Sequence, residues 1–192
     1  YGLKSTVGAV APTGYVEDPD LLQDISFGDG QWDAFLELGG SYHLNTSLTV
    51  NFWSRYTHQF SSVKNLRAPY DEDFPLSDRK EKFREKLGNK FSSGLSTDIA
   101  ITDWFMFQPS YIVQYTEEAQ YFSNYSEANR ILAQDTESYS HSMKLLTSMD
   151  TITLFRAGNF MIPASLSLSY QMMLEGKNTC LLYTSDAADD SL

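Results

Sequence analysis

From Trp32 to Phe60 the sequence largely alternates apolar and polar residues, on either side of a three-residue interruption. Trp32, Ala34, Leu36, Leu38, Tyr42 and Leu44 fall on one parity, with Gly40 in register. Asp33, Glu37, Gly39, Ser41 and His43 fall on the other, joined by one apolar exception, Phe35. After Asn45-Thr46-Ser47 the pattern resumes, with Leu48, Val50, Phe52, Tyr56 and Phe60 against Thr49, Asn51, Trp53, Arg55, Thr57 and Gln59. A repeat of two sends successive side chains to opposite faces of an extended chain, so this is a β-hairpin with one greasy and one polar face. Each arm runs to roughly 13 residues, about twice the usual globular strand. A tilted strand needs about 9–11 residues to cross a bilayer. Long arms, two faces and a minimal turn are the pattern of a transmembrane β-barrel.

The rest of the chain repeats that unit. Leu3 to Ala11 predicts a first strand stopped at Pro12, which cannot donate to a sheet ladder. A second hairpin starts near Asn89. Phe91, Ser93, Leu95, Thr97, Ile99 and Ile101 oppose Lys90, Ser92, Gly94, Ser96 and Asp98. Its turn is Thr102-Asp103, and its return arm sets Phe105, Phe107, Tyr111, Val113 and Tyr115 against the even positions, with a bulge or kink expected at Pro109. Ser138 to Thr147 and Ile162 to Leu174 complete seven strands, before a turn starting at Gly176-Lys177-Asn178. Long polar connections at 12–31, 61–88 and 117–137 alternate with short ones at 45–47 and 102–103 and a middling one at 148–161. Outer-membrane barrels have this asymmetry of long outer loops and short inner turns. Short helices are expected at Asp20 to Asp24, at Asp78 to Lys86 with Asp78 as N-cap, at Glu127 to Leu132, and before Gly158.

Composition permits this reading. No run of about 18 apolar residues offers a spanning helix. The negative mean hydropathy is what alternate exposure to lipid gives. The 12 Tyr, 12 Phe and 3 Trp suit interfacial girdles.

The segment from Cys180 to Asp190 resembles the translation of a transposon-end sequencing adapter, so 180–192 is expected to be a non-native, disordered tail. Residues 1–179 are then an internal piece of a larger barrel, and the single cysteine belongs to the tail. Without the tail's Asp186, Asp189 and Asp190, the 25 acids fall to 22 against 14 bases, a net charge of −8. That balance, without a basic stripe, argues against nucleic-acid binding.

Two sets of short motifs carry a family resemblance: Gly8-Ala9-Val10-Ala11-Pro12-Thr13-Gly14 with Gly28-Asp29-Gly30, and Ile162-Pro163 leading through Ser167-Leu168-Ser169-Tyr170 to Leu174-Glu175-Gly176-Lys177-Asn178. Over residues 8–178 the sequence resembles the outer-membrane transporters associated with the phenol meta-cleavage pathway. Those are similar in architecture to long-chain fatty-acid and hydrocarbon channels. The resemblance implies a monomeric barrel in the Gram-negative outer membrane that passes small hydrophobic or aromatic solutes. Its partners would be the bilayer and those solutes.

The polar face collects Asp33, Glu37, His43, Asn51, Arg55, Gln59, Lys90, Asp98, Gln108, Gln114, Lys144 and Gln171. These either line a conduit or pair with one another across the barrel, because a buried charge needs a partner. The ligand-path candidates are Phe35, Glu37, Asn51, Trp53, Arg55, Asp98, Gln114 and Lys144. Glu37 and Arg55 count out to near-opposite positions from the 45–47 turn, and Phe35 and Trp53 beside them make an aromatic patch. A general diffusion or structural porin is one alternative, and a lipase-like barrel enzyme another. The enzyme reading lacks a His-x-Ser pair. In Ser140-His141-Ser142 the serines flank the histidine and must face the other way. Neither a catalytic set, a cofactor nor a metal site is predicted; the acidic run Tyr70-Asp71-Glu72-Asp73 lacks the spaced ligands and glycine of an EF-hand.

Overall fold

The computed structural model describes residues 1–14, 28–72 and 77–179. The seven anticipated strands form one antiparallel sheet: β1 (Gly2–Val10), β2 (Asp33–Asn45), β3 (Leu48–Gln59), β6 (Lys90–Thr102), β7 (Phe105–Thr116), β9 (Ser138–Asp150) and β10 (Ser165–Lys177). They lie side by side in chain order, as an up-and-down barrel wall requires. The long strands have 12 or 13 residues each.

The sheet has no apolar core of its own. Among the described residues the buried hydrophobic side chains are Ala68, Phe83, Ala119 and Ala128, and none lies in these seven strands. Leu36, Leu38, Tyr42, Leu44, Phe52 and Tyr56 instead point outward and stay exposed, as do Phe91, Leu95, Ile101, Leu166, Leu168 and Tyr170 on the other strands. A continuous apolar face of this size is not left bare to water by a soluble domain. Set in hydrocarbon, the same face costs nothing, and the ladders leave few backbone groups unpaired.

A second sheet was not legible as such. β4 (Ser62–Arg67), β5 (Lys80–Lys86) and β8 (Gln120–Phe122) pair antiparallel and carry helix α1 (Ser126–Ala133). The order β4-β5-β8 repeats β3-β6-β7, so this cap is the upward continuation of three neighbouring wall strands beyond a crease. Asn89 stitches the crease. Its Oδ1 accepts from the Gln59 amide at 3.2 Å, and its Nδ2 donates to Glu117 Oε2 at 2.6 Å. Its carbonyl accepts from the Glu117 amide at 3.0 Å. Gly88 has no room for a side chain there, since a Cβ would lie 1.7 Å from the Glu117 carbonyl oxygen.

The helix expected over Asp78 to Lys86 is therefore a correction: the segment is strand β5. Its sequence Lys-Glu-Lys-Phe-Arg-Glu-Lys alternates in charge, which sends Phe83 and Glu85 inward and Lys80, Lys82 and Arg84 outward. Phe83 is fully buried against Ala68 and Ala128, with Leu66, Tyr121, Tyr125 and Leu132 around it. Glu85 is ion-paired with Lys64 and accepts from the Tyr121 hydroxyl at 2.9 Å. Burial, reinforced by the Glu85 charge, pushes the Tyr121 hydroxyl far above its ordinary range. The Arg79 guanidinium lies 3.7 Å from the Tyr125 ring centroid. On the cap surface, hydrogen bonding from Arg130 holds the Glu127 carboxyl below the usual range.

Other boundaries shift less. The helix near Glu127 to Leu132 is α1, whereas β8 went unseen in the same connection. The short helix before Gly158 is α2 (Ile152–Arg156), and Gly158 takes a left-handed φ of 75° that favours glycine. Pro109 makes no bulge. Its pairing with β9 is unbroken, and pairing with β6 lapses beside it and resumes in the same register. The missing N–H thus faces β6, and the irregularities fall at His43/Asn45, Ala100/Thr102 and Met173/Glu175. The helical turn expected at Asp20 to Asp24 and the tail from Cys180 lie outside the described residues.

Leu38 sits mid-strand on the outer face, 48% exposed. Leu38→Arg should destabilise the protein in liposomes by about 2–4 kcal/mol in chemical unfolding, the usual cost of a cation on the lipid face at mid-membrane. Glu37→Gln, one residue away on the other face, should change stability by less than about 1 kcal/mol.

Candidate functional site

The polar face of β2, β3 and β6 is assembled by register. Glu37 pairs with Arg55, Asp33 with Gln59, Arg55 with Ser92, Thr57 with Lys90 and Trp53 with Gly94. On the far side of β2, Gly8 meets Phe35 and Val10 meets Asp33. These residues enclose an open hollow of ≈ 550 Å³ lined by Val10, Asp33, Glu37, Trp53, Arg55, Thr57, Lys90 and Ser92.

Two glycines shape its wall. A Cβ at Gly8 would lie 2.4 Å from the Phe35 ring, and one at Gly94 equally close to Trp53 Nε1. Each ring thus packs into the space a neighbouring strand leaves by carrying no side chain, a pairing that shields the glycine backbone. Arg55 then packs on Phe35, its guanidinium carbon 3.9 Å from the ring centroid. Arg55 Nη1 stands 3.8 Å from Glu37 Oε2, and both side chains are partly exposed. Such a pair is worth about 0–1 kcal/mol, and an exposed cation–π contact about 0.5–1 kcal/mol. Neither locks the guanidinium, so Arg55 keeps capacity for a passing anion or an aromatic face.

The eight candidates separate into groups. Phe35, Glu37, Trp53 and Arg55 come together at the hollow. Asn51 and Asp98 lie lower and are spent on each other, with Asn51 Nδ2 donating to Asp98 Oδ2 at 2.8 Å. Gln108 donates to the second Asp98 oxygen. This chain ties β3, β6 and β7 together and reads as wall structure. Gln114 accepts from Ser140 Oγ at 3.4 Å, farther round the wall. Lys144 lies between Ser110 and Gln171 in register, and its side chain makes no ion pair or hydrogen bond among the described residues. Asp33 and Lys90 line the hollow and sat on the polar parity without being singled out. Val10 had no sequence signal, because only its pairing with Asp33 brings it there.

His141 is on the outer face, 2.7 Å from the Tyr111 hydroxyl through Nδ1. Ser140 and Ser142 are buried on the inner face, where Ser142 Oγ accepts from Gln171 at 3.1 Å. The sheet itself separates these serines from the histidine, as alternation demands. Among the described residues no three His, Cys, Asp or Glu side chains cluster as a metal set.

A solved outer-membrane channel from Pseudomonas putida F1 superimposes on the chain with a TM-score of 0.60. The fold is that of an outer-membrane barrel. Sequence identity is 16%, over 92% of this chain and 54% of that one, so the chain spans about half the length of the channel it matches. No family model and no curated protein matches the sequence.

The recess at Gly94 can be tested directly. With Trp32 and Trp104 replaced by Phe, Gly94→Val should evict the Trp53 indole and shift its emission to the red, while the β-sheet circular dichroism is kept. An unchanged spectrum would mean that Trp53 does not depend on that recess.

Proposed function

We propose that the chain forms part of an outer-membrane channel for passive passage of small hydrophobic or aromatic molecules. Its inner face guides the solute and its outer face lies in lipid. The observation that carries this reading is the hollow itself, where Trp53 and the Phe35–Arg55 stack offer aromatic and cationic surface among otherwise hydrophilic wall residues. An aromatic solute gains from ring contact and from the guanidinium, by about 0.5–1.5 kcal/mol per contact. That is enough to bias a path and too little to trap a solute. The outward apolar face and the likeness to a channel fold support the location and the transport role. The glycine-bearing motifs at residues 8–14 and 28–30 support a place among the transporters associated with phenol meta-cleavage, working as a monomer. No covalent step is invoked, because passage needs only graded affinity along the wall.

Planar-bilayer recordings of the refolded protein test this. Phenol-sized aromatics should interrupt the ion current in discrete events, and sugars of similar size should not. Trp53→Ala should shorten those events about fivefold, the equivalent of about 1 kcal/mol of lost ring contact. A current indifferent to aromatics, with sugars passing freely, would instead identify a general diffusion pore.

A further inference from the structure

The buried polar atoms of this protein are unevenly satisfied. Among the described residues eight buried side-chain nitrogen or oxygen atoms have no hydrogen-bond partner, and five of them belong to Gln31, Asp33 and Gln59. These are both amide atoms of Gln31, both of Gln59, and Asp33 Oδ1, although the Gln59 side chain also approaches the Asp33 carboxylate. Gln59 is 0% exposed and Gln31 2%. Asp33 and Gln59 face each other in register across β2 and β3, at the end of the wall where Asn89 marks the crease. Burying such groups unpaired costs about 1–3 kcal/mol each, so a fold that gathers three of them in one corner implies something that meets them there.

The sequence leading into β2 supplies one more oxygen ligand. Asp29, Gln31 and Asp33 recur at every second position of Gly28-Asp29-Gly30-Gln31-Trp32-Asp33. The Gln31 amide donates to Asp29 Oδ1 at 3.3 Å, folding the turn so that Asp29 lies within electrostatic reach of Asp33. Two carboxylates and two amide carbonyls form a hard, all-oxygen donor set. Such a set suits calcium, which accepts about 6–8 oxygens in flexible geometry, and does not suit the softer transition metals.

We propose that Asp29, Gln31, Asp33 and Gln59 bind a calcium-sized divalent cation that pins the turn before β2 to the rim of the β2–β3 hairpin. Asp29 and Asp33 neutralise the ion, and the carbonyl oxygens of Gln31 and Gln59 complete the protein's share of the shell. Water accepts from the two amide NH2 groups, so the ion accounts for the three orphaned oxygens. The enclosed setting favours an ion over an organic solute, because the Gln31 and Gln59 amide atoms do not open onto the hollow. Lys90 is a competing counter-charge, approaching Asp33 from the hollow side, and His58 acts on Asp33 as well. The proposal is independent of what the channel carries.

Isothermal titration of CaCl2 into chelator-treated, detergent-folded protein is the test. One ion per chain should bind saturably. Asp29→Asn, on the turn and outside the sheet, and Asp33→Asn should each weaken binding by about tenfold or more, since ligand charge sets calcium affinity. Glu37→Gln should leave the affinity unchanged. Circular dichroism must report folded sheet in every variant, and Asp29→Asn keeps the test decisive if Asp33→Asn does not fold. Absence of saturable calcium binding would leave Lys90 and His58 as the counter-charges and overturn the proposal. Equal affinity in Asp29→Asn and the parent would place the ion on other acidic loops and overturn it as well.

Discussion

Hydrocarbon offers no partner to a backbone N–H or C=O, and the rest of this structure depends on that constraint. Every spanning segment must therefore find its hydrogen bonds in a neighbour, which is what the seven-stranded ladder provides. Once the backbone is committed to the sheet, alternate side chains must face lipid. Leu36, Leu38, Tyr42 and Leu44 on β2, and their counterparts on the other strands, are the consequence. The usual hydrophobic core is turned inside out. The interior face is left to polar residues, which pair with one another or stand open to a path.

The hydrophilic face shows how a wall can be rigid and receptive at once. Asn51, Asp98 and Gln108 satisfy one another across three strands, so they brace the sheet. Higher up, Arg55 rests on Phe35 with only a loose hold on Glu37, and Trp53 occupies the space that Gly94 leaves. The difference is one of saturation. The carboxylate of Asp98 has both oxygens engaged, whereas the side chains around the hollow retain capacity. The glycines matter here because they let aromatic rings lie close to the wall instead of filling the space beside it.

Much of this was legible in the sequence, because the period of two is a strong signal over strands of 12 or 13 residues. The seven wall strands and the facing of Glu37 towards Arg55 followed from parity and the turn at Asn45-Thr46-Ser47. The cap was not legible. In β5 the alternation is carried by charge, with Phe83 as its single apolar residue, and the same letters also suit an exposed helix with opposite charges spaced along it. Only pairing with β4 and β8, and burial of Phe83 on Ala68 and Ala128, decides for strand. The site was half legible for a related reason. Parity named the face, but Asn51 and Asp98 could be told from Glu37 and Arg55 only by seeing which hydrogen bonds were already spent. Val10 needed the β1–β2 register, which no local pattern supplies.

The central claim is that alternate residues of the wall meet lipid and the interior. Nitroxide labels placed singly along β2, from Asp33 to Asn45, would measure this most directly in reconstituted vesicles. Collision rates with oxygen, which partitions into lipid, and with a water-soluble nickel chelate should oscillate with a period of two and in opposite phase. Oxygen should be favoured at Leu36, Leu38, Tyr42 and Leu44, and the chelate at Phe35, Glu37, Gly39 and Ser41. Equal access of the chelate to both parities would mean that the apolar face lies in water, and the barrel account would fail.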